Sequence, residues 1–178
     1  SGSTSNNGGA SPYGSSTNPV TLGSGGAGSI QIAGADGGGA AKVDVAGTFI
    51  LDGIITADGA AGSNDINGSG GGAGGSVNII VGSFGGAGTV TADGGNGGNG
   101  TDRDGGAGGA GRIYIRYTST TISTSSFNTM VSAIGGSVDN TPDLSVDAVA
   151  GGNGSAILLD VGSDTTNFTD ADGYIIDG

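Results

Sequence analysis

Glycine supplies 44 of the 178 residues, and it arrives in tracts rather than singly. Residues 69–117 show the pattern most clearly. Two short β-branched runs, Val77-Asn78-Ile79-Ile80-Val81 and Thr89-Val90-Thr91-Ala92, lie between glycine tracts, and the pattern restarts at Ile113. Each glycine inside a regular element costs about 0.5–1 kcal/mol relative to alanine. Over so many positions that penalty exceeds the roughly 5–15 kcal/mol by which a domain is stable. The glycines must therefore sit where a Cβ has no room, at positive φ or against another stretch of main chain.

Between the tracts the apolar residues alternate with the period of two that half-buries a strand, as in Ile30-Gln31-Ile32 and Lys42-Val43-Asp44-Val45. Residues 42–62 and 76–97 are two copies of one unit. Val43 aligns with Val77, Phe49 with Phe84, Gly53 with Gly88, Ile55 with Val90, and Ala57-Asp58-Gly59 with Ala92-Asp93-Gly94. A looser third copy starts at Arg112, passes through a Ser/Thr stretch to Phe127 and recovers at Ser132-Ala133-Ile134-Gly135-Gly136. A fourth starts at Ala156-Ile157-Leu158-Leu159 and closes on Ala171-Asp172-Gly173-Tyr174-Ile175-Ile176. Residues 137–150, with Pro142, are an excursion between these two.

The spacing of 34 to 35 residues marks stacked supersecondary units, which cannot bury their apolar face alone. The fold class expected is all-β. The favoured architecture is a parallel β-solenoid-like stack of about four repeats without crossover helices. Tracts such as residues 70–75, 94–100 and 105–111 would pack as polyproline-II-like rods, for which only a missing side chain fits at a crowded axis. An antiparallel β-sandwich built from the same strands is the alternative. Residues 1–28 carry little periodicity and read as an extended N-terminal arm, with residues 29–178 as a single glycine-rich β-repeat domain.

The succession of Tyr13-Gly14 through Gly28, then residues 40–62, then residues 70–100, then residues 106–117 resembles the glycine-rich repeat modules of large secreted bacterial surface proteins of the adhesin-like kind. In those modules a Gly-Thr or Gly-Ser pair precedes an aromatic residue or Leu, glycine runs join the units, and an Arg-Ile-x-Ile-Tyr-like strand ends them. The resemblance covers roughly residues 12–136. It implies an extracellular structural or adhesive role, and it carries over no catalytic residues. Read as a small subunit rather than one module of a giant polypeptide, the chain would depart from the family setting.

Composition narrows the function classes. The formal net charge is −12, and the cations are Lys42, Arg103, Arg112 and Arg116. Such a polyanion is a poor partner for nucleic acid or an acidic membrane surface. No run of about 18 apolar residues is present to span a bilayer. The absence of Cys and His rules out a disulfide framework, a thiol nucleophile, a Ser-His-Asp triad and a thiolate zinc site. The chain opens at Ser1 with its one Met at Met130, which points to a removed secretory signal and an extracellular address.

Acid–base work is left to aspartates. Asp44, Asp58 and Asp93 recur near repeat spacing, as on β-helical polysaccharide-degrading enzymes, but Asp-Gly closing a turn explains Asp58 and Asp93 better. No catalytic residue and no bound cofactor is therefore assigned. Residues 97–105 echo a calcium-binding nonapeptide once, which makes Asp102 and Asp104 weak calcium candidates, with Asp170 and Asp172 similarly short of a ligand set. Four sequons name Asn67, Asn99, Asn153 and Asn167 as candidate glycosylation sites.

The expected role is an extracellular subunit whose partner is itself. A stack of repeats ends in unpaired strand edges. It satisfies them by stacking head to tail on another copy into a filament or sheath, or by accepting a strand donated from a terminal segment. The assembly candidates are Tyr13, Val20 and Leu22 in the arm and Tyr174, Ile175 and Ile176 at the far end. The alternative is an adhesin or carbohydrate-binding domain contacting surface glycans, which would use exposed tyrosines from the set Tyr13, Tyr114, Tyr117 and Tyr174.

Overall fold

The computed structural model describes residues 14–138, 148–162, 165–169 and 175–177. The chain is predominantly β. The largest sheet holds β1 (Ala40–Ile50), β4 (Ser76–Gly85), β7 (Arg112–Tyr117), β10 (Ser155–Asp160), β11 (Thr165–Thr169) and β12 (Ile175–Asp177) in that order, with β8 (Ser119–Thr120) beside β4. A second sheet runs β2 (Ile54–Thr56), β5 (Thr89–Thr91), β9 (Val131–Ser132), and a third pairs β3 (Asp65–Asn67) with β6 (Gly100–Arg103). Pairing from β1 through β10 is parallel, as it is within both smaller sheets. Antiparallel pairing among the described residues is confined to β10, β11 and β12. That is not the pairing of an antiparallel sandwich.

Each of the first three repeats contributes a strand to the large sheet and one to the second, while the fourth adds to the large sheet alone, so equivalent side chains stack. Ala41, Val77, Ile113 and Ala156 form one inward row, and Val43, Ile79, Ile115 and Leu158 form the next. The register corrects the sequence alignment at one point: Val43 lies opposite Ile79, and Val77 lies opposite Ala41. A slip of two residues keeps every side chain on the same face, so alternation alone cannot detect it. The Phe49–Phe84 and Ile55–Val90 matches are those expected. The two registers are reconciled by an irregularity between Val45 and Thr48, where three steps along β1 meet two along β4.

Aromatic rings stack along the same direction. Phe49 and Phe84 have ring centroids 6.0 Å apart, Phe84 and Phe127 5.6 Å, and Tyr117 and Phe127 5.8 Å. Phe127 sits on α1 (Thr124–Met130), a single short helix that the strand-only reading of the third repeat did not anticipate. Ser123 caps it by accepting from the Ser126 N–H.

The glycine-rich segments form the other half of the molecule. They run extended and hydrogen-bond sideways at every third residue. Gly72 and Gly75 donate to Ala60 and Ala57, Gly95 and Gly98 to Gly72 and Ser69, and Gly105, Gly108 and Gly111 to Gly98, Gly95 and Ala92, all at 2.7–2.9 Å. Residues 70–75 are also bonded to residues 24–27, 35–38 and 106–109, and are buried among them. An extended chain with no internal hydrogen bonds must place its N–H and C=O groups on neighbours, and here they go to other glycine segments.

The absent side chains make this packing possible. A Cβ on Gly72 would meet the carbonyl of Asp36, one on Gly108 that of Gly72, and one on Gly151 that of Gly108, each far inside van der Waals contact. A second column runs Gly39, Gly75, Gly111, Gly154 in the same way. Positive φ accounts for only Gly14 and Gly86 among the described residues. Close main-chain approach, more than turn geometry, sets the demand for glycine.

Candidate assembly surface

β1 pairs with β4 on one side and, among the described residues, with no strand on the other. This leaves one edge of an eleven-residue strand unmatched. Its inward side chains have the same chemistry as those of the next repeat and a different exposure. Ile79, Val81, Phe84 and Val90 are buried, whereas Val43, Val45, Phe49 and Ile55 are only half covered. At the same tip Ile50 is 63% and Ile54 74% exposed. The difference is positional: β4 and β5 have a neighbouring strand on both sides, whereas β1 and β2 have one among the described residues. Edge protection is slight, consisting of Lys42 and Asp44 pointing outward and the irregularity near Gly47.

A row of side-chain acceptors gives the repeats a direction. Asp58 Oδ1 accepts from the Asp93 N–H at 2.7 Å, and its Oδ2 from the Thr91 hydroxyl at 2.9 Å, one repeat on. Asp93 Oδ1 accepts in turn from the Ile134 N–H at 2.8 Å and the Ser132 hydroxyl at 2.7 Å. Asn64 Oδ1 takes the Asn99 N–H and Asn96 Oδ1 the Ser137 N–H, at 2.8 and 2.9 Å. Every one of these bonds runs from an acceptor in one repeat to a donor in the following one. In the first repeat the equivalent Asp58 N–H reaches only Thr56 Oγ1 of its own strand, at 3.4 Å. The signal was present in the sequence as acidic or amide residues every third position, Asp93-Gly-Gly-Asn96-Gly-Gly-Asn99. Turn closure by Asp-Gly, the expectation for Asp58 and Asp93, does not extend to the two asparagines of this row.

The opposite end of the large sheet is continued past β10 by two short strands. β11 and β12 turn back antiparallel on β10, with Ile176 opposite Phe168 and Ile175 opposite Thr169. Ile175 and Ile176 are therefore paired within their own chain. The N-terminal segment is likewise bound to its own molecule from Gly14 onward. Pro19 is fully buried, Asn78 Nδ2 donates to Asn18 Oδ1 at 2.9 Å, and Ser76 Oγ donates to the Thr21 carbonyl at 2.8 Å. Gly23 and Gly26 donate to Gly38 and Ala35, which joins this part of the N-terminal segment to the glycine bundle. Val20 and Leu22 face outward from it. Tyr13 and Tyr174 lie outside the described residues.

The other candidates are dispersed. Asp102 is exposed, while Asp104 is buried and accepts from the Gly100 N–H at 2.9 Å, closing its own loop. Among the described residues no three acidic, His or Cys side chains converge as a cation cage, and Asp170 and Asp172 lie outside them. Of the sequon asparagines, Asn67, Asn99 and Asn153 are half buried, Ser69 of the first sequon is fully buried, and Asn153 Oδ1 accepts from Gly135. Asn167 lies in β11.

Tyr114 and Tyr117 are buried in the sheet and present no ring for stacking on a sugar. Burial, and secondly the charge of Asp160, push the Tyr117 phenol above its ordinary value of 10.0. Asp160 is its partner across β7 and β10. No protein-family model, curated protein or solved structure matches this chain.

Proposed function

We propose that the chain is an extracellular structural subunit that self-assembles head to tail into a filament or sheath. In this reading the repeats are successive turns of a parallel β-solenoid, and the glycine segments are polyproline-II-like rods laid against one another. The observation that carries it is the β1 tip, where the inward rows stop half covered although the next row is complete. A terminal segment of a neighbouring copy, added as a further strand, would bury Val43, Val45, Phe49 and Ile55 as fully as their counterparts. The joining surfaces differ, one tip being an open parallel strand and the other an antiparallel turn-back. A heterologous contact whose rotation does not close into a ring propagates as a helical fibre. The resemblance to glycine-rich surface modules, the acidic surface and the lack of oxidisable thiols suit an extracellular setting.

Electron microscopy of the native protein, with size measurement by light scattering, tests this directly. Fibres of very high mass are expected, and a single species of 16.5 kDa would contradict the proposal. Ile50→Lys with Ile54→Lys should shift the material to single chains while leaving unfolding stability within about 0.5 kcal/mol, since both side chains are largely exposed in the lone molecule.

A further inference from the structure

The sequence contains several Asn-Gly pairs, the dipeptide in which asparagine is chemically least durable. In the reaction the glycine nitrogen attacks the asparagine Cγ and loses its proton, ammonia departs and a five-membered imide forms. Water then opens the imide to aspartate or isoaspartate. The attacking nitrogen must shed its hydrogen-bond partner, and the peptide must swing toward the side chain. We propose that the fold shuts this modification off at Asn67, Asn96, Asn99 and Asn153 by tying up each following glycine, and that Asp104 is the latch for Asn99.

All four described pairs are held alike. Gly68 donates to the Arg103 carbonyl at 2.8 Å, Gly97 to Ser137 at 3.0 Å, and Gly154 to Ala133 at 2.9 Å. Gly100 donates to Asp104 Oδ1 at 2.9 Å, the one case in which the acceptor is a side chain. The glycines are also wedged: a Cβ on Gly68, Gly97, Gly100 or Gly154 would overlap the carbonyl of Gly98, Gly105, Arg103 or Gly111. Main chain packed this closely cannot rotate without parting neighbouring segments. At Asn96 and Asn153 the side-chain amide is held as well, Oδ1 accepting from Ser137 and Gly135. The glycine of each labile pair is thus packed against neighbouring main chain. This inference does not depend on assembly.

The test follows deamidation of each asparagine by peptide mass mapping, in the folded full-length chain and in the same chain unfolded in guanidinium chloride at equal pH and temperature. Each of the four sites should react about 100-fold more slowly when folded, as expected for sites that react only through local opening. Asp104→Ala should speed Asn99 alone relative to the folded wild type, short of the unfolded rate because Gly100 stays wedged against the Arg103 carbonyl, while Asp104→Asn, which keeps an acceptor, should hold it slow. Asn96 and Asn153 reacting in the folded wild type as fast as in the unfolded chain would overturn the proposal. Asn99 staying slow in Asp104→Ala would overturn the latch. If all four sites accelerate together in that variant, the fold itself has been lost and the wild-type comparison decides.

Discussion

At Gly108 an added methyl would drive into the carbonyl of Gly72, with main chain on both sides and no flexible side chain to yield. Gly108→Ala is therefore expected to cost about 3 kcal/mol or more through overpacking. Gly47→Ala meets nothing within 4 Å. It should be neutral or gain up to about 1 kcal/mol by restricting the unfolded chain. Denaturant midpoints of the two variants separate a contact requirement from mere glycine content. Tyr117 supplies a second residue-scale expectation. Its phenol is held neutral by burial and by the charge of Asp160, so its folded value is raised. The stability this confers is complete below the unfolded value near 10 and is lost as pH climbs through the raised value. Alkaline unfolding curves should show that loss in the wild type and less of it in Tyr117→Phe.

Among the elements, the acceptor row joins the repeats as the strands do, and it can be cut separately. Asp93→Ala removes two inter-repeat bonds while leaving the β5–β9 ladder in place. A loss of about 1–2 kcal/mol is expected, with faster amide exchange at Ile134 as the local sign. Much of this level was legible beforehand, because Val, Ile and Phe alternate within runs and the first runs recur at a similar distance. What could not be read has physical causes. Alternation is blind to a two-residue slip, so Val43 was matched to Val77 instead of standing opposite Ile79. α1 is a seven-residue helix held by a serine cap and by Phe127 packing on Phe84 and Tyr117, and its own sequence, rich in Ser and Thr, has little helical preference. Asp58 and Asp93 looked like turn closers because Asp-Gly usually is one; only the neighbouring repeat reveals their partners.

For the molecule as a whole, the glycine segments and the strands solve one problem together. The strands bury apolar rows between repeats, and the glycine segments bury main chain against main chain, so repetition supplies both cores. The same logic leaves the β1 row half finished, and the proposed polymer is what completes it. Residues 1–28 read as an extended N-terminal arm, and along residues 23–26 that segment is bonded into the bundle, because a stretch of Gly, Ser and Ala is as good a bundle member as a linker. Hydrogen exchange on native material, read amide by amide along β1, is the most direct test. If a neighbouring chain occupies the open edge, the amides from Val43 to Ile50 that face away from β4 should exchange as slowly as those of β4 itself. If those amides exchange freely while the β4 amides stay protected, nothing covers the edge and the assembly account is wrong.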